Sequence, residues 1–261
     1  MSSPAIRLDV AGEIGELILD KPAKRNALST DMWQAIPDLI RIAVDNKSVK
    51  VIIIHGGSTG AFASGADISE FETIYATPEM AAQSSDTIAR AIESVASCAK
   101  PVLAAIDGAC VGGGVSLALA ADLRIASDGA KFAVTPGKLG LVYSVEDTRR
   151  LAQAVGVPNA KDILLTGRIL ECEEAFRMGL VNRLAPKGEA LAIALEVAKN
   201  IGAISQWSNR ATKQMFEGAL AGWDNTTPQA KALFLDGFTN EDFVEGIGAF
   251  LEKRPANFTF R

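Results

Sequence analysis

The sequence of 261 residues contains few of the side chains that bind metal ions or form nucleophile–base pairs: it has three cysteines and one histidine. Cys98, Cys110 and Cys172 lie far apart with no C-x-x-C pair, which argues against a disulfide framework or a zinc site and indicates reduced, buried thiols. His55 ends a predicted strand and has no nucleophile placed beside it. The sequence therefore supports neither a Ser-His triad nor a metal centre, and we expect no metal.

The chain also lacks an excess of positive charge and an uninterrupted apolar segment. It has 26 lysines and arginines against 31 acidic residues, a formal net charge of −5, and no basic stripe, so we expect no nucleic-acid partner. Pro101–Ala121 is nearly long enough to span a membrane, but Asp107 and four glycines interrupt it, and we expect no membrane association. The first residues show no basic start followed by an apolar core, which predicts no signal peptide and a cytoplasmic protein.

The overall composition is typical of a globular α/β protein with a large core, at 48% hydrophobic and 22% charged residues. Strand and helix patterns alternate over residues 1–199, whereas residues 200–261 have almost only helical patterns, so we place a boundary near residue 200. The predicted strands are Leu17–Asp20, Val49–His55, Val102–Ile106, Leu123–Ala126 and Leu180–Leu184. The predicted helices include Pro78–Ala99, Gly188–Ile204, Gln206–Ala221, Pro228–Gly237 and Glu241–Lys253.

The most informative stretch joins a strand to a helix through glycines. Val102–Ile106 is an apolar strand, and Gly112-Gly113-Gly114 leads into the helical residues Val115–Ala121. Glycine lets the backbone approach a ligand, and the first amides of a helix have no partner within the helix. This arrangement favours an anion site, with a tight glycine packing joint as the alternative. The run is neither G-x-G-x-x-G nor followed by G-K-[ST], which argues against dinucleotide and P-loop sites.

Two segments together carry a family resemblance: FASGADI at residues 62–68 and KPVLAAIDGACVGGG at 100–114. Three further segments agree in order and spacing: KPAKRNALS at 21–29, LTGRILECEEAFRMGLVNRL at 165–184, and AFLEKRPANF at 249–258. The chain resembles the crotonase, or enoyl-CoA hydratase/isomerase, superfamily over essentially its whole length. The resemblance implies an α/β spiral of ββα turns (1–199) with a helical C-terminal region (200–261) that builds homotrimers, often stacked as hexamers. It implies an acyl-CoA substrate and no separate cofactor, since coenzyme A is part of that substrate.

The resemblance places the chemistry on two backbone amides, those of Ala66 and Gly113. They would bind the thioester carbonyl oxygen, on which negative charge grows when a proton or a carboxylate leaves the α-carbon. Donors that are fixed in advance stabilise this charge without reorganisation, and the helix dipole at Gly113 adds to the effect.

The resemblance also implies a set of coenzyme A contacts. Basic groups near the phosphates are Lys24 and Arg25, for which a solvated basic loop is the alternative. Ser64, Asp67 and Ile68 lie where the family's loop backbone follows the pantetheine and adenine. Two residues would reach coenzyme A from a neighbouring subunit, or else form the end of an amphipathic helix: Phe250 and Lys253.

The sequence departs from the family's hydratases at both acid–base positions. Those enzymes hold water between two glutamates, and here the corresponding residues are Ser116 and Pro136, counted from Phe132. Hydration needs a base for the water and an acid for the α-carbon, and neither residue supplies one. Ser116 is retained as a catalytic candidate because of its position.

The segments TPGKLGLVYS at 135–144 and NEDFVEGIGAFLEKRPANF at 240–258 resemble the methylmalonyl-CoA decarboxylase branch, in which the tyrosine matching Tyr143 faces the acyl group. Decarboxylation of a malonyl-type CoA is our first choice, because the leaving carboxylate makes a strong base unnecessary. That branch has histidine where this chain has Ala66. The alternative for Tyr143 is an interior tyrosine whose hydroxyl bonds elsewhere.

Other possibilities stay open. Hydration or double-bond isomerisation with a nonstandard acid is the runner-up, and Glu146 is a minor acid–base candidate that otherwise complements a helix dipole. Asp147 completes a capping box with Ser144 and is expected to act as a helix cap. A member of the family that binds CoA esters with little catalysis is the third possibility.

Overall fold

The computed structural model describes residues 5–260. Residues 1–4 of the predicted N-terminal region (1–199) and residue 261 of the predicted C-terminal region (200–261) lie outside the described residues. Its central sheet has six strands in the order β1-β2-β3-β4-β6-β9, and a second sheet has the order β5-β7-β8. The strands are β1 (Ile6–Ala11), β2 (Ile14–Leu19), β3 (Val51–His55), β4 (Val102–Ile106), β5 (Ala109–Val111), β6 (Leu123–Ser127), β7 (Lys131–Ala133), β8 (Ile169–Glu171) and β9 (Arg183–Ala185).

The central sheet is parallel from β2 to β9, and only the β1–β2 hairpin is antiparallel. Every residue of β3 and β4 is buried, which explains their unbroken runs of apolar residues. Parallel neighbours need long crossovers, and the helices and the second sheet supply them. In register, Ile52 of β3 faces Val102 of β4, and Leu103 faces Leu123 of β6.

The chain passes from the central sheet to the second sheet at Asp107-Gly108. Gly108 has a φ of +60°, and a methyl group there would lie 2.0 Å from the Gly60 carbonyl oxygen, so this turn requires glycine. Strand β5 follows at once and pairs with β7 in parallel. The succession β4, β5 and the helix that begins at Gly113 is one strand–strand–helix turn, which confirms the predicted spiral of such turns.

Eleven α-helices lie within residues 5–260. They are α1 (Thr30–Asp45), α2 (Phe71–Ile74), α3 (Pro78–Ala96), α4 (Gly113–Ala120), α5 (Val145–Val155), α6 (Val157–Thr166), α7 (Cys172–Arg177), α8 (Ala190–Gly202), α9 (Gln206–Leu220), α10 (Pro228–Asp236) and α11 (Glu241–Glu252). Helices α1 and α3 pack on one another, and α8 packs on β3, β4 and β6. None of the helices in the described range is long and apolar enough to cross a membrane.

A buried asparagine fastens the N-terminal loop to the segment that precedes the site. Asn26 is fully buried with a φ of +57°, a conformation that asparagine tolerates better than most residues. Its amide nitrogen donates to the carbonyl oxygens of Gly56 and Ala61 at 3.0 and 2.8 Å, and to the Thr59 hydroxyl at 2.8 Å. Its carbonyl oxygen accepts the amide of Lys21 at 2.8 Å. Two loops that are far apart in sequence are thereby held together.

The C-terminal helices leave the sheet after α8. Helix α9 stays attached to the core through Lys213, whose Nζ lies 2.7 Å from Oδ2 of Asp122. Ser205 caps α9 and donates its hydroxyl to Oδ2 of the buried Asp242 on α11 at 2.6 Å. The division near residue 200 stays a prediction, and the structure adds that α8, which precedes it, belongs to the sheet.

Several predicted bounds need correction. The prediction missed β1, β5 and β8, which are at most six residues long. The predicted strand Leu180–Leu184 is wrong at its start, because the amides of Leu180 and Val181 donate back to the Ala175 carbonyl at the end of α7. Helix α3 ends at Ala96, three residues before the predicted Ala99, because Ser97 leaves the helix.

Candidate active site

The two amides assigned to the oxyanion hole lie on adjacent backbone segments. Leu28 donates its amide to the Gly65 carbonyl at 2.8 Å in a parallel bridge, so the Ala66 amide faces the other way. A methyl group at Gly112 would lie 3.9 Å from Gly65 Cα. The loop that carries Ala66 therefore runs beside the turn that leads into Gly113, although 47 residues separate the two positions.

Both amides are available to a ligand. Within residues 5–260, neither the Ala66 amide nor the Gly113 amide donates a hydrogen bond to a protein group. Their neighbours are bonded: Asp67 donates to the Leu28 carbonyl at 3.0 Å and Gly112 to the Ala133 carbonyl at 2.8 Å. Gly113 is also the first residue of α4, where the helix dipole favours negative charge. The pair can stabilise an anionic oxygen.

The glycine run also packs tightly against its surroundings. A methyl group at Gly114 would lie 2.9 Å from both Cβ and the carbonyl oxygen of Ala63, and one at Gly113 would lie 3.0 Å from Cζ2 of Trp33. The alternative of a packing joint therefore describes Gly114, while the free amide of Gly113 agrees with the site. Trp33 on α1 and Leu28, whose Cδ1 is 3.7 Å from the same methyl position at Gly113, border the site.

Ser116, which is buried one helical turn beyond Gly113, forms a hydroxyl pair with the partly buried Tyr143. The Ser116 Oγ lies 2.6 Å from the Tyr143 hydroxyl oxygen, and either group can be the donor. Burial, and to a lesser extent the nearby Asp147 carboxyl, raises the pKa of Tyr143 above its ordinary value, so this phenol stays protonated. The two catalytic candidates are therefore in contact, and Ser116 belongs to the same helix, α4, as Gly113.

The remaining acid–base candidates lie apart from this pair. Glu146 is half-exposed, with 49% of its side chain accessible, and it forms an ion pair with Arg149 on the same helix. Pro136 opens a 3₁₀ turn over Pro136–Leu139 and brings no titratable group. Thus the structure places no carboxylate at the two positions that glutamates occupy in the hydratases.

Two lysines surround Asp67 beside the loop of Ala66. Lys21 Nζ is 2.7 Å from Oδ2 of Asp67, and Lys24 Nζ is 2.9 and 2.8 Å from Oδ1 and Oδ2. Lys24 also donates to the Ser69 hydroxyl at 2.7 Å. Burial alone would raise the pKa of Asp67, but the hydrogen bonds from both lysines outweigh it and hold that pKa well below its usual range. The Lys24 ammonium is therefore already occupied.

Other predicted coenzyme A contacts adjoin this cluster. The Ser64 amide donates to the Arg25 carbonyl at 3.1 Å, and the Ser64 hydroxyl donates to the Lys24 carbonyl at 3.1 Å. Arg25 is exposed, with a φ of +51°, and forms no ion pair in the described part of the chain. Ile68 is 69% exposed. The fold thus brings the five N-terminal candidates into one surface region next to the Ala66 loop.

The two C-terminal candidates lie at the end of α11. Phe250 is 82% exposed, and Lys253 ends the helix with a φ of +55°. No hydrogen bond or ion pair of the described residues joins either one to the Lys24–Ile68 region. Their assignment to a neighbouring subunit's site stays a prediction.

Comparison with known proteins agrees with this geometry. The family model described as "Enoyl-CoA hydratase/isomerase" matches residues 9–261. The chain is 34% identical over 265 residues to a probable enoyl-CoA hydratase of Mycobacterium leprae, with both proteins covered completely. It is 33% identical over 263 residues to the crotonyl-CoA hydratase of Syntrophomonas wolfei, covering 99% of each.

A solved structure is more similar still. The crystal structure of a putative enoyl-CoA hydratase/isomerase family protein from Hyphomonas neptunium has 60% sequence identity and a TM-score of 0.98, with 99% of this chain and 98% of that chain covered. The spiral of strand–strand–helix turns is the architecture of the crotonase superfamily. This chain belongs to its enoyl-CoA hydratase/isomerase family.

Sequence reasoning missed one side chain that the fold brings to the site. Asp147 was interpreted as a helix cap, and Ser144 does cap α5 by accepting the Asp147 amide at 3.1 Å. The Asp147 carboxyl itself, however, is buried on the side of Tyr143 and Ser116. The signal available in the sequence was that Asp147 lies in the first turn of a helix that begins directly after Tyr143.

Proposed function

We propose that the protein binds an acyl-CoA thioester with its carbonyl oxygen between the amides of Ala66 and Gly113 and stabilises the enolate of that substrate. The observation that carries this proposal is the pair of unbonded amides on adjacent segments, one of them at a helix start. Such donors stabilise an oxyanion without reorganisation. The bond to the α-carbon that breaks leaves its electron pair in the enolate, whose oxygen these amides hold.

Within this chemistry we propose decarboxylation of a malonyl-type CoA, a lyase reaction like that of methylmalonyl-CoA decarboxylase. Ser116 and Pro136 supply no carboxylate, and loss of carbon dioxide needs no base at the α-carbon. The Tyr143 hydroxyl, supported by Ser116 at 2.6 Å, can orient the leaving carboxylate by a hydrogen bond. Ala66 in place of that branch's histidine keeps the backbone donor and removes a polar side chain.

Hydration or isomerisation of an enoyl-CoA is the second candidate. The names of the relatives favour it, since one is a crotonyl-CoA hydratase and another a probable enoyl-CoA hydratase. Either reaction needs an acid–base group other than the two missing glutamates. The absence of both glutamates should leave crotonyl-CoA hydration near background, because a general acid or base contributes about 10²–10⁴-fold to the rate.

The test is turnover of methylmalonyl-CoA and crotonyl-CoA by the purified protein side by side, repeated with Tyr143→Phe. Fast decarboxylation that Tyr143→Phe slows supports the first candidate and the role of the hydroxyl. Fast hydration of crotonyl-CoA overturns the decarboxylase assignment and selects the second candidate. Binding of both esters without turnover of either leaves a CoA-ester-binding protein.

We also propose a homotrimer or hexamer built through the C-terminal helices, in which Phe250 and Lys253 reach a neighbour's coenzyme A. Its support is the apolar surface of α9–α11, where Phe216, Val244 and Leu251 are exposed together with Phe250. Sedimentation at micromolar concentration tests the proposal. A folded monomer overturns it and removes the coenzyme A role of Phe250 and Lys253.

A further inference from the structure

One buried carboxyl beside the site has an oxygen without a hydrogen bond. Asp147 is 7% exposed, and its Oδ2 accepts the Ser144 hydroxyl at 2.8 Å. Its Oδ1 is buried and accepts no hydrogen bond from any group in residues 5–260. A buried carboxylate oxygen that accepts no hydrogen bond destabilises a fold. Helix capping does not account for it, because the Ser144 hydroxyl makes the cap by accepting the Asp147 amide.

The groups around this carboxyl leave it able to hold a proton. Burial raises the pKa of Asp147 above its ordinary value, and the nearby hydroxyls of Ser144 and Ser116 and the charge of Arg150 offset only part of that rise. Arg150 bridges two carboxylates: its Nη1 forms a long ion pair with Oδ1 of Asp147 at 3.8 Å, and its Nη2 lies 2.7 Å from Glu93.

The other titratable groups that face Asp147 are few. Glu146, on the same helix, raises the pKa of Asp147 further. The Asp147 carboxyl and the Cys110 thiol of β5 both act on Tyr143 and raise its pKa. Burial raises the pKa of Cys110 as well, so that thiol stays uncharged. Asp147 is therefore the buried carboxyl of this cluster.

We propose that Asp147 holds the proton of this active site and exchanges it with the α-carbon of the substrate through the hydroxyls of Ser116 and Tyr143. The inference rests on the proposed acyl-CoA function and adds the source of the proton. Its support is geometric: a buried carboxyl with one free oxygen stands beside a hydroxyl pair 2.6 Å apart, one helical turn from the Gly113 amide.

The proton transfer balances in both directions. When the α-carbon loses a proton, the C–H bond breaks and its electron pair enters the enolate held by the Ala66 and Gly113 amides. The proton binds a hydroxyl oxygen of the pair, whose own proton passes on to Asp147 Oδ1. After loss of carbon dioxide, or in isomerisation, the reverse transfer protonates the enolate carbon. Asp147 acts through the pair and is a positioning residue for the proton.

The experiment measures exchange of the α-hydrogens of butyryl-CoA with deuterium oxide as a function of pH, for the wild type and for Asp147→Asn. We expect the wild-type rate to rise tenfold per pH unit to the raised pKa of Asp147 and then level, because only the ionised carboxylate accepts a proton. Asp147→Asn should lose this rising limb and about 10²–10⁴-fold in rate. Its affinity for butyryl-CoA and its circular dichroism should match the wild type, since asparagine keeps the acceptor for Ser144.

Glu173→Gln is the matched control, because Glu173 is an exposed acid in the first turn of another helix, α7. It should leave the rate and the pH profile unchanged. Ser116→Ala tests the relay separately and should also lose the limb, which keeps the test valid if Asp147→Asn does not fold.

The outcomes separate this inference from the function on which it rests. Exchange with an unchanged pH profile in Asp147→Asn or Ser116→Ala overturns the role of Asp147 and leaves the oxyanion site standing. Loss of the limb in Glu146→Gln, with Asp147→Asn unaffected, transfers the role to Glu146 and overturns the inference. Wild-type protein that binds no CoA ester and exchanges no α-hydrogen overturns the proposed function and the inference together.

Discussion

Replacing Gly113 by proline removes one proposed oxyanion donor while the backbone path is kept. Gly113 is the first residue of α4, a position where proline is accommodated because its missing amide would have no helical partner. The preceding Gly112 has φ +53° and ψ −116°, outside the helical region that a following proline disfavours. The variant therefore changes the amide without breaking the helix.

Steric contact is the second effect of the change, and Gly113→Ala measures it. Either side chain places a Cβ 3.0 Å from Cζ2 of Trp33, so Trp33 must move by a few tenths of an ångström in both variants. We expect this crowding to cost about 1–3 kcal/mol in the free energy of unfolding, as overpacking generally does, and to be shared by the two variants. The difference in rate between the proline and alanine variants then reports the loss of the Gly113 amide donor.

The expected difference in rate follows from what one oxyanion donor contributes. Removing such a donor costs about 10²–10³-fold in kcat, or about 2.7–4 kcal/mol of transition-state stabilisation. The assay is deuterium exchange at the α-carbon of saturating butyryl-CoA, which reports enolate formation whichever reaction the enzyme completes. Circular dichroism and thermal unfolding verify that both variants fold. A folded Gly113→Pro protein that exchanges as fast as Gly113→Ala would refute the assignment of the Gly113 amide.

Three further predictions follow from the surroundings of the site. Burial lowers the pKa of Lys100 to about 8, whereas a lysine in the unfolded chain has a pKa of about 10.4. The free energy of unfolding should therefore rise with pH between these two values. Denaturant titrations that give Lys100→Met the same dependence of unfolding free energy on pH would contradict this. Asn26→Ala should lower the unfolding free energy by about 3 kcal/mol, because the Lys21 amide and three groups of residues 56–61 lose their hydrogen-bond partner. An unchanged urea midpoint would be the contrary result. Arg25→Ala should weaken butyryl-CoA binding about fivefold, which corresponds to a contact of roughly 1 kcal/mol. Lys24→Ala should weaken binding less, because the Lys24 ammonium is bonded to Asp67. Calorimetry that shows the reverse order of the two variants would disprove this prediction.

Local sequence was sufficient for most of the regular elements. Strand Val102–Ile106 was predicted with its observed bounds, because five apolar residues between a proline and an Asp-Gly turn have few other conformations. The cap at Ser144 was predicted because a helix cap depends on neighbouring residues. The short strands of the second sheet gave no such signal, since each is three residues long and is stabilised by pairing with distant segments.

For the residues of the site, too, part of the arrangement followed from local sequence and part depended on the fold. The sequence by itself indicated the family and the two backbone positions proposed for the oxyanion hole, because the segments FASGADI and GACVGGG are contiguous patterns that only a few residue types satisfy. The tertiary structure decided which side chains accompany them. The ammonium of Lys24 is bonded to Asp67, and Glu146 faces solvent, whereas Asp147, the next residue, turns its carboxyl towards Ser116 and Tyr143. Neighbours on a helix point about 100° apart, so only the packing of α5 against α4 decides which of two adjacent acids is buried.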